Sequence, residues 1–268
     1  MWTSLSKTTM SLFFDHIRAT DTEIISRCHA SGDLLSDSSC SNKVVKISSN
    51  IVVKYGNFVK EGEFFNQQIA FQLLDPNIVR VPAPYRFIQD GPIGYLVMDF
   101  AEGEVPCTKQ ALAVAPRLRQ ILSHMHNIRG ETPGALSGGV VEGALWPNNV
   151  PIFKDRRNLE DWLTRRLKRP GSRISFEDQP LVMCHMDFSP RNLVICNSNK
   201  TVTVTLLDWS SAGYFPRIFD YIPYKFSPLD TGFFLNLEPH LASLSPQEKQ
   251  TAKDVVQALE NCQVFFFS

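Results

Sequence analysis

In the stretch from Leu181 to Tyr221, His185, Asp187 and Asn192 follow one another as H-x-D-x-x-x-x-N, and Asp208 closes the apolar run Val202 to Leu207. An aspartate in such a loop can accept the proton of an attacking hydroxyl. An amide oxygen and a second carboxylate are hard donors suited to Mg²⁺, which takes one or two protein groups and fills its octahedron with phosphate oxygens and water. Leu193 to Cys196 and Val202 to Leu207 read as two strands around Asn197-Ser198-Asn199-Lys200. Counting outward from Lys200 places Asn192 and Asp208 at equal distance, so antiparallel pairing predicts that they face each other, with Cα atoms about 5 Å apart.

Each residue also has a plainer reading. A lone Asp187 is usually a turn carboxylate, Asp208 can simply end a strand, and His185 is expected to orient the loop through hydrogen bonds rather than move a proton. Cys184 reads as a small buried apolar group. His124 and His126, two apart on a helix, point in different directions and do not make a metal pair. It is the combination of loop spacing, hairpin and second aspartate that favours a metal and phosphate site.

The elements that must hold this site are legible from periodicity. Val44 to Ile47 and Ile51 to Tyr55 are β-branched runs around Ser48-Ser49-Asn50, a hairpin that puts Lys54 near the end of its second strand. From Glu61 to Leu74, Phe65, Ile69 and Leu73 recur at helical spacing until Asp75-Pro76 stops the helix. A second hairpin is predicted from Arg86 to Met98 around Gln89-Asp90-Gly91-Pro92. Beyond Asp99 to Pro106 the pattern turns helical, at Ala111 to Ile128 and Leu159 to Leu167, with a long loop of five glycines and three prolines over 129–151 between them. This predicts an α+β, bilobal chain: a small sheet with one helix over residues 1–98, then a larger, mainly helical lobe over 99–268.

The segments CHMDFSPRN and LLDWSSAGYFPRIFDY resemble the aminoglycoside phosphotransferase family of kinase-like enzymes, which is also similar to choline and fructosamine kinases. That resemblance implies a protein-kinase-like fold, ATP and Mg²⁺ as cofactors, Asp187 as catalytic base, and Asn192 and Asp208 as metal ligands. It extends to Val52-Val53-Lys54-Tyr55-Gly56, similar to the strand that bears a phosphate-contacting lysine, and implies a carboxylate partner on the next helix, assigned to Glu63 with Glu61 as the alternative. Gly94 to Gly103 is similar to the family's strand and hinge, where backbone groups of Asp99 and Phe100 would meet adenine. Two departures stand out. No glycine-rich loop precedes Lys54, and Ser210 replaces an acidic residue common after Asp-Trp.

Composition narrows the rest. Lys plus Arg and Asp plus Glu both number 27, so no net charge draws the chain to nucleic acid or an anionic membrane. The six cysteines lack zinc or disulfide spacing, and neither a signal peptide nor a spanning segment is evident, which predicts free thiols and a cytoplasmic location. The expected activity is transfer of the ATP γ-phosphate to a small-molecule hydroxyl; the alternative is a catalytically weak or inactive kinase-like module that binds a nucleotide or a partner.

Overall fold

The computed structural model describes residues 14–36, 40–143, 145–147, 150–198, 201–226 and 231–263. The chain divides into two compact units, Met1–Glu61 with Pro82–Ala101, and Gly62–Val81 with Glu102–Ser268. No described helix is long and apolar enough to cross a membrane.

In the first unit, α1 (Asp21–Ala30) starts at a reciprocal cap. The Thr20 hydroxyl accepts the Glu23 N–H at 3.3 Å, while the Glu23 carboxylate accepts the Thr20 N–H at 2.7 Å. Ile24 and Cys28 of this helix join Val45, Ile47, Ile51, Val53, Ile88, Tyr95 and Val97 in one core. The strands are β1 (Lys43–Lys46) and β2 (Ile51–Gly56), then β3 (Pro84–Asp90) and β4 (Ile93–Asp99) beyond the intervening segment. They form an antiparallel sheet in the order β1-β2-β4-β3. Both predicted hairpins are present, the second turning at Gly91 with φ +55°, a conformation suited to glycine.

A further short extension was not legible. Leu34 bridges Val45, the Leu35 N–H donates to Val44 O and the Lys46 N–H to Asp33 O. β1 begins at the end of the sheet where Lys43 faces Tyr55, next to Lys54. The Ser48-Ser49-Asn50 turn lies at the opposite end, where the Phe100 N–H donates to Asn50 O. That turn is therefore not at the end of the β1-β2 pair nearer Lys54.

The second unit contains α2 (Glu61–Leu73), α3 (Thr108–Ala113), α4 (Ala115–Met125) and α5 (Arg156–Thr164), followed later by α6 (Thr231–Leu237) and α7 (Pro246–Gln263). Between them lie β5 (Gly134–Ala135), β6 (Leu181–Cys184), β7 (Leu193–Ser198), β8 (Thr201–Leu206) and β9 (Gly213–Pro216). These form the sheet β5-β9-β6 and the separate hairpin β7-β8. The single helix expected over 111–128 breaks at Val114, because Pro116 lacks an N–H and enters only as a first-turn residue of α4. The α4 stripe Leu118, Ile121, Leu122, Met125 is buried as its spacing predicts. α5 starts earlier than the apolar pattern suggests, since the Asp155 carboxylate caps it by accepting the Asn158 N–H at 2.7 Å.

The α2 helix forms as predicted, but of its expected stripe only Ile69 packs against the core. Phe65 is 40% and Leu73 46% exposed, whereas Glu63, Asn66, Gln67 and Ala70 make the buried face. The reason is polar. Asn66 Nδ2 donates to the carbonyls of Trp209 (3.1 Å) and Ala212 (3.2 Å), and its Oδ1 accepts the Ser137 N–H at 3.1 Å. One side chain thus ties Ser137 to the segment after Asp208, adding to the bonds that the Trp209 and Ala212 carbonyls accept from the Ala212 and Leu136 N–H groups.

Candidate active site

The loop that follows β6 is fixed by one carboxylate. Asp220, 2% exposed, accepts the backbone N–H of His185 at 2.9 Å and of Met186 at 2.8 Å on the same oxygen, Oδ1. Its Oδ2 meets His126 Nε2, at the end of α4, at 2.8 Å. These bonds hold Met186 at φ +58°, a left-handed conformation that costs a non-glycine residue roughly 1–2 kcal/mol.

His185 joins the loop to the strand end that carries Asp208. Its Nε2–H donates to Leu207 O at 2.9 Å, its Nδ1 accepts the Asp187 N–H at 3.3 Å, and its ring stands edge-on to Trp209 at 4.8 Å. Acceptance at Nδ1 requires the neutral ring. Burial lowers its pKa below the ordinary 6.5, against the opposing pull of Asp187, Asp220 and Asp208. The expected orienting role fits this geometry.

The β7-β8 hairpin is present, but its register differs by one from the prediction. Leu193 pairs with Leu206 and Ser198 with Thr201, so the Leu207 N–H donates to Asn192 O at 2.8 Å. Asn192 therefore faces Leu207, and Asp208 comes one residue later. Asn197 and Ser198, expected in the turn, pair with Val202 and Thr201 instead, so the connection is shorter than the four residues read from the sequence. Asp208 then turns left-handed at φ +61°, and Ser210 Oγ donates to its Oδ1 at 2.8 Å.

Asp187 and Asn192 are in direct contact. Asn192 Nδ2 donates to Asp187 O (2.8 Å) and to Oδ2 (2.9 Å), leaving the Asn192 Oδ1 outside these bonds. An unanticipated Arg191 contacts the other carboxylate oxygen at 2.5 Å. Asp187 borders a cavity of about 250 Å³, whose lining includes Phe188, Ser189, Arg191, Tyr224, Phe226 and Phe234. A larger cavity of about 670 Å³ is bordered by His126, Arg129, Gln179 and Arg217, and not by Asp187, Asn192 or Asp208.

The candidate nucleotide residues are placed as follows. Lys54 is buried in β2 opposite Val44 and Leu96. On α2 Glu63 is 1% exposed, while Glu61 is exposed. Asp99 ends β4; its N–H donates to Ala83 O at 3.1 Å, and its carboxylate accepts the Tyr85 hydroxyl at 2.7 Å. The Phe100 N–H is taken by Asn50 O at 2.8 Å, and its ring lies 3.6 Å beneath the Lys46 ammonium.

Sequence reasoning missed Asp220, His126 and Arg191. A signal existed for the first: an aspartate inside Ile218-Phe219-Asp220-Tyr221 cannot be buried without partners. The two histidines of α4 do part, as expected. His124 accepts the Asp75 N–H at 3.0 Å while His126 serves Asp220. His126, Cys184 and Asp220 bring ligand-type atoms within 4.8 Å of one another, but burial pushes the Cys184 thiol well up, so it stays protonated beside Phe215 O.

Comparison with known proteins agrees with this architecture. A structure of an aminoglycoside phosphotransferase APH(4)-Ia thermostable mutant, apo form, aligns at TM-score 0.54 and 12% identity, over 91% of this chain and 97% of that one. A GDP complex of an aminoglycoside 2'-phosphotransferase-IIIa mutant aligns at TM-score 0.53 and 16% identity, over 91% and 90%. A ternary complex of an APH(4)-Ia mutant with AMP-PNP and hygromycin B aligns at TM-score 0.53 and 13% identity, over 91% and 96%. At these identities the likeness establishes the kinase-like fold. No curated protein matched the sequence. The model of the phosphotransferase enzyme family matches residues 37–224, more than half of the chain, and to that family this chain belongs.

Proposed function

We propose that the chain transfers the γ-phosphate of ATP to a hydroxyl of a small molecule, with Asp187 as base. The observation that carries this reading is a carboxylate on a rigidly anchored loop, oriented by Asn192 and opening on a cavity of ligand size. In the reaction, the acceptor oxygen forms a bond to the γ-phosphorus as the bond to the β-phosphate oxygen breaks. The hydroxyl proton passes to Asp187, and ADP leaves.

The donors present suit Mg²⁺: the Asp208 carboxylate and the free oxygen of the Asn192 amide are hard ligands, set one residue out of register by the hairpin and turned by the left-handed Asp208. When bound, the ion neutralises phosphate charge. His185 holds the loop and the strand end together, and Asp220 holds the loop backbone. Lys54 and Glu63 are the proposed phosphate-positioning residues. At Asp99 and Phe100 an adenine contact falls on the carbonyls, because both N–H groups are bonded within the sheet. The solved aminoglycoside phosphotransferases crystallised with AMP-PNP or GDP support a nucleotide as one substrate.

A screen of hydroxylated small molecules for Mg-ATP consumption, with mass analysis for an added phosphate, tests this. Asp208→Ala is expected to lose both turnover and the rise in thermal midpoint caused by Mg-ATP. Full turnover in that variant overturns the metal role. The ion pair of Arg191 with Asp187 favours a second reading, a catalytically weak or inactive module that binds a nucleotide or a partner. Nucleotide-dependent stabilisation without any phosphorylated product would select it.

A further inference from the structure

The cavity beside Asp187 has a chemistry that narrows the acceptor, an inference that rests on the phosphotransfer reading above. Its lining is rich in rings: Phe188, Tyr224, Phe226 and Phe234, of which Tyr224 and Phe234 stack at 4.6 Å with planes 10° apart. Such walls favour a flat or apolar body. At about 250 Å³ the space suits a molecule of one or two rings.

Its described charged groups are three: Asp187, Arg191 and Asp220. Both oxygens of Asp220 are occupied, by two backbone N–H groups and His126. Those of Asp187 are engaged by Arg191 and Asn192. Among the described residues this leaves Asp187 as the lining carboxylate open to a substrate, and the phosphotransfer reading gives it the acceptor hydroxyl, not an ammonium. The described cation of the lining is Arg191, which also meets Asp187. The Arg191 side chain is 50% exposed, and a guanidinium presents five donors in a planar fork matched to carboxylate and phosphate.

A second, independent feature points the same way. Ser189, 2% exposed and part of the same lining, has its hydroxyl buried without a hydrogen-bond partner. An unmet buried hydroxyl is costly, so a ligand atom that satisfies it is favoured. An oxyanion accepts from Arg191 and Ser189 alike.

We propose that the natural acceptor is an anionic hydroxy compound, bearing a carboxylate or phosphate received by Arg191 and Ser189, with an aromatic or apolar body against Tyr224 and Phe234. Polycationic amino sugars are correspondingly poor acceptors. Asp187 takes the proton from its hydroxyl, and the product is a phosphate monoester that retains the original anion.

The test is a charge series on one skeleton: 4-(2-hydroxyethyl)benzoate, 4-(2-hydroxyethyl)phenyl phosphate, neutral 2-phenylethanol and 4-(2-hydroxyethyl)benzylamine, with kanamycin as a polycation. Acceptor-dependent ADP release is measured for each, beside the slow acceptor-free hydrolysis of Mg-ATP. The inference expects kcat/KM at least tenfold higher for the carboxylate or phosphate compound than for the neutral one, and lowest for the amine and kanamycin; which anion leads distinguishes the two sources. In Arg191→Ala the preference collapses to within about twofold, whereas Arg191→Lys retains its sign. A preference for the amine or kanamycin, or no discrimination while hydrolysis persists, overturns the acceptor class and leaves phosphotransfer standing. An Arg191→Ala defect that falls equally on all five compounds overturns the role of Arg191 in receiving the anion. Absence of any Mg-ATP hydrolysis, acceptor or none, instead contradicts the phosphotransfer reading itself.

Discussion

Helices α2 and α4 are similar in length and lie in the same unit, yet they bury opposite kinds of surface. α4 buries Leu118, Ile121, Leu122 and Met125, the stripe its sequence advertises. α2 buries Glu63, Asn66 and Gln67 and turns Phe65 and Leu73 outward. The first helix is placed by the hydrophobic effect, which counts area and tolerates small shifts. The second is placed by directional bonds to the backbone that follows Asp208, which fix position and cannot be met from another register. Polar side chains there do for the backbone after Asp208 what an apolar core does for α4.

Substitutions can break that contrast. Leu118→Ala, at a site with 0% exposure, is expected to lower stability by about 2–5 kcal/mol through lost burial and a residual cavity, read from chemical denaturation. Its activity per folded molecule should survive at low temperature. Asn66→Ala removes the donor to two buried carbonyls and the acceptor of Ser137, a cost of roughly 1–3 kcal/mol. Here turnover should fall further than the folded fraction, because the loop beside Asp208 loses its tether.

A pH comparison sharpens the polar side. Burial lowers the pKa of His185, so below 6.5 the unfolded chain binds a proton that the native site refuses. This contribution to stability is complete above 6.5 and is lost as pH falls from there through the lower folded value. Thermal midpoints at pH 7.5 and 5.5 check the sign, and the acid-side loss should shrink in His185→Asn. The smallest effect is expected at Phe65→Ser on the outward face of α2, within about 0.5 kcal/mol. A loss as large as that of Leu118→Ala would show that the exposed ring is covered after all.

The same contrast explains what the sequence disclosed. Hydrophobic spacing announced α4 and the strands of the three hairpins, because burial is written as periodicity. It misled at α2, where Phe65 and Leu73 of the stripe face outward, and it put Asn192 opposite Asp208 because a centre on Lys200 and a two-residue turn predict registers that differ by one. The stub at Leu34 was hidden, since an isolated bridge needs no alternating run. In the proposed site, Asp187, Asn192 and Asp208 were legible as a spaced set. Arg191 was not, because a basic residue in a loop reads as solvated until its contact with Asp187 is seen. Asp220 was hidden for another reason: its partners are backbone N–H groups, which carry no residue signature.

The most direct measurement on the central claim is phosphate transfer by Asp187→Ala, at matched folding, with the Mg-ATP-induced rise in thermal midpoint recorded beside it. With Asp187 as base, transfer should fall by about 10²–10⁴-fold while nucleotide stabilisation persists. Transfer at the parental rate would contradict the account.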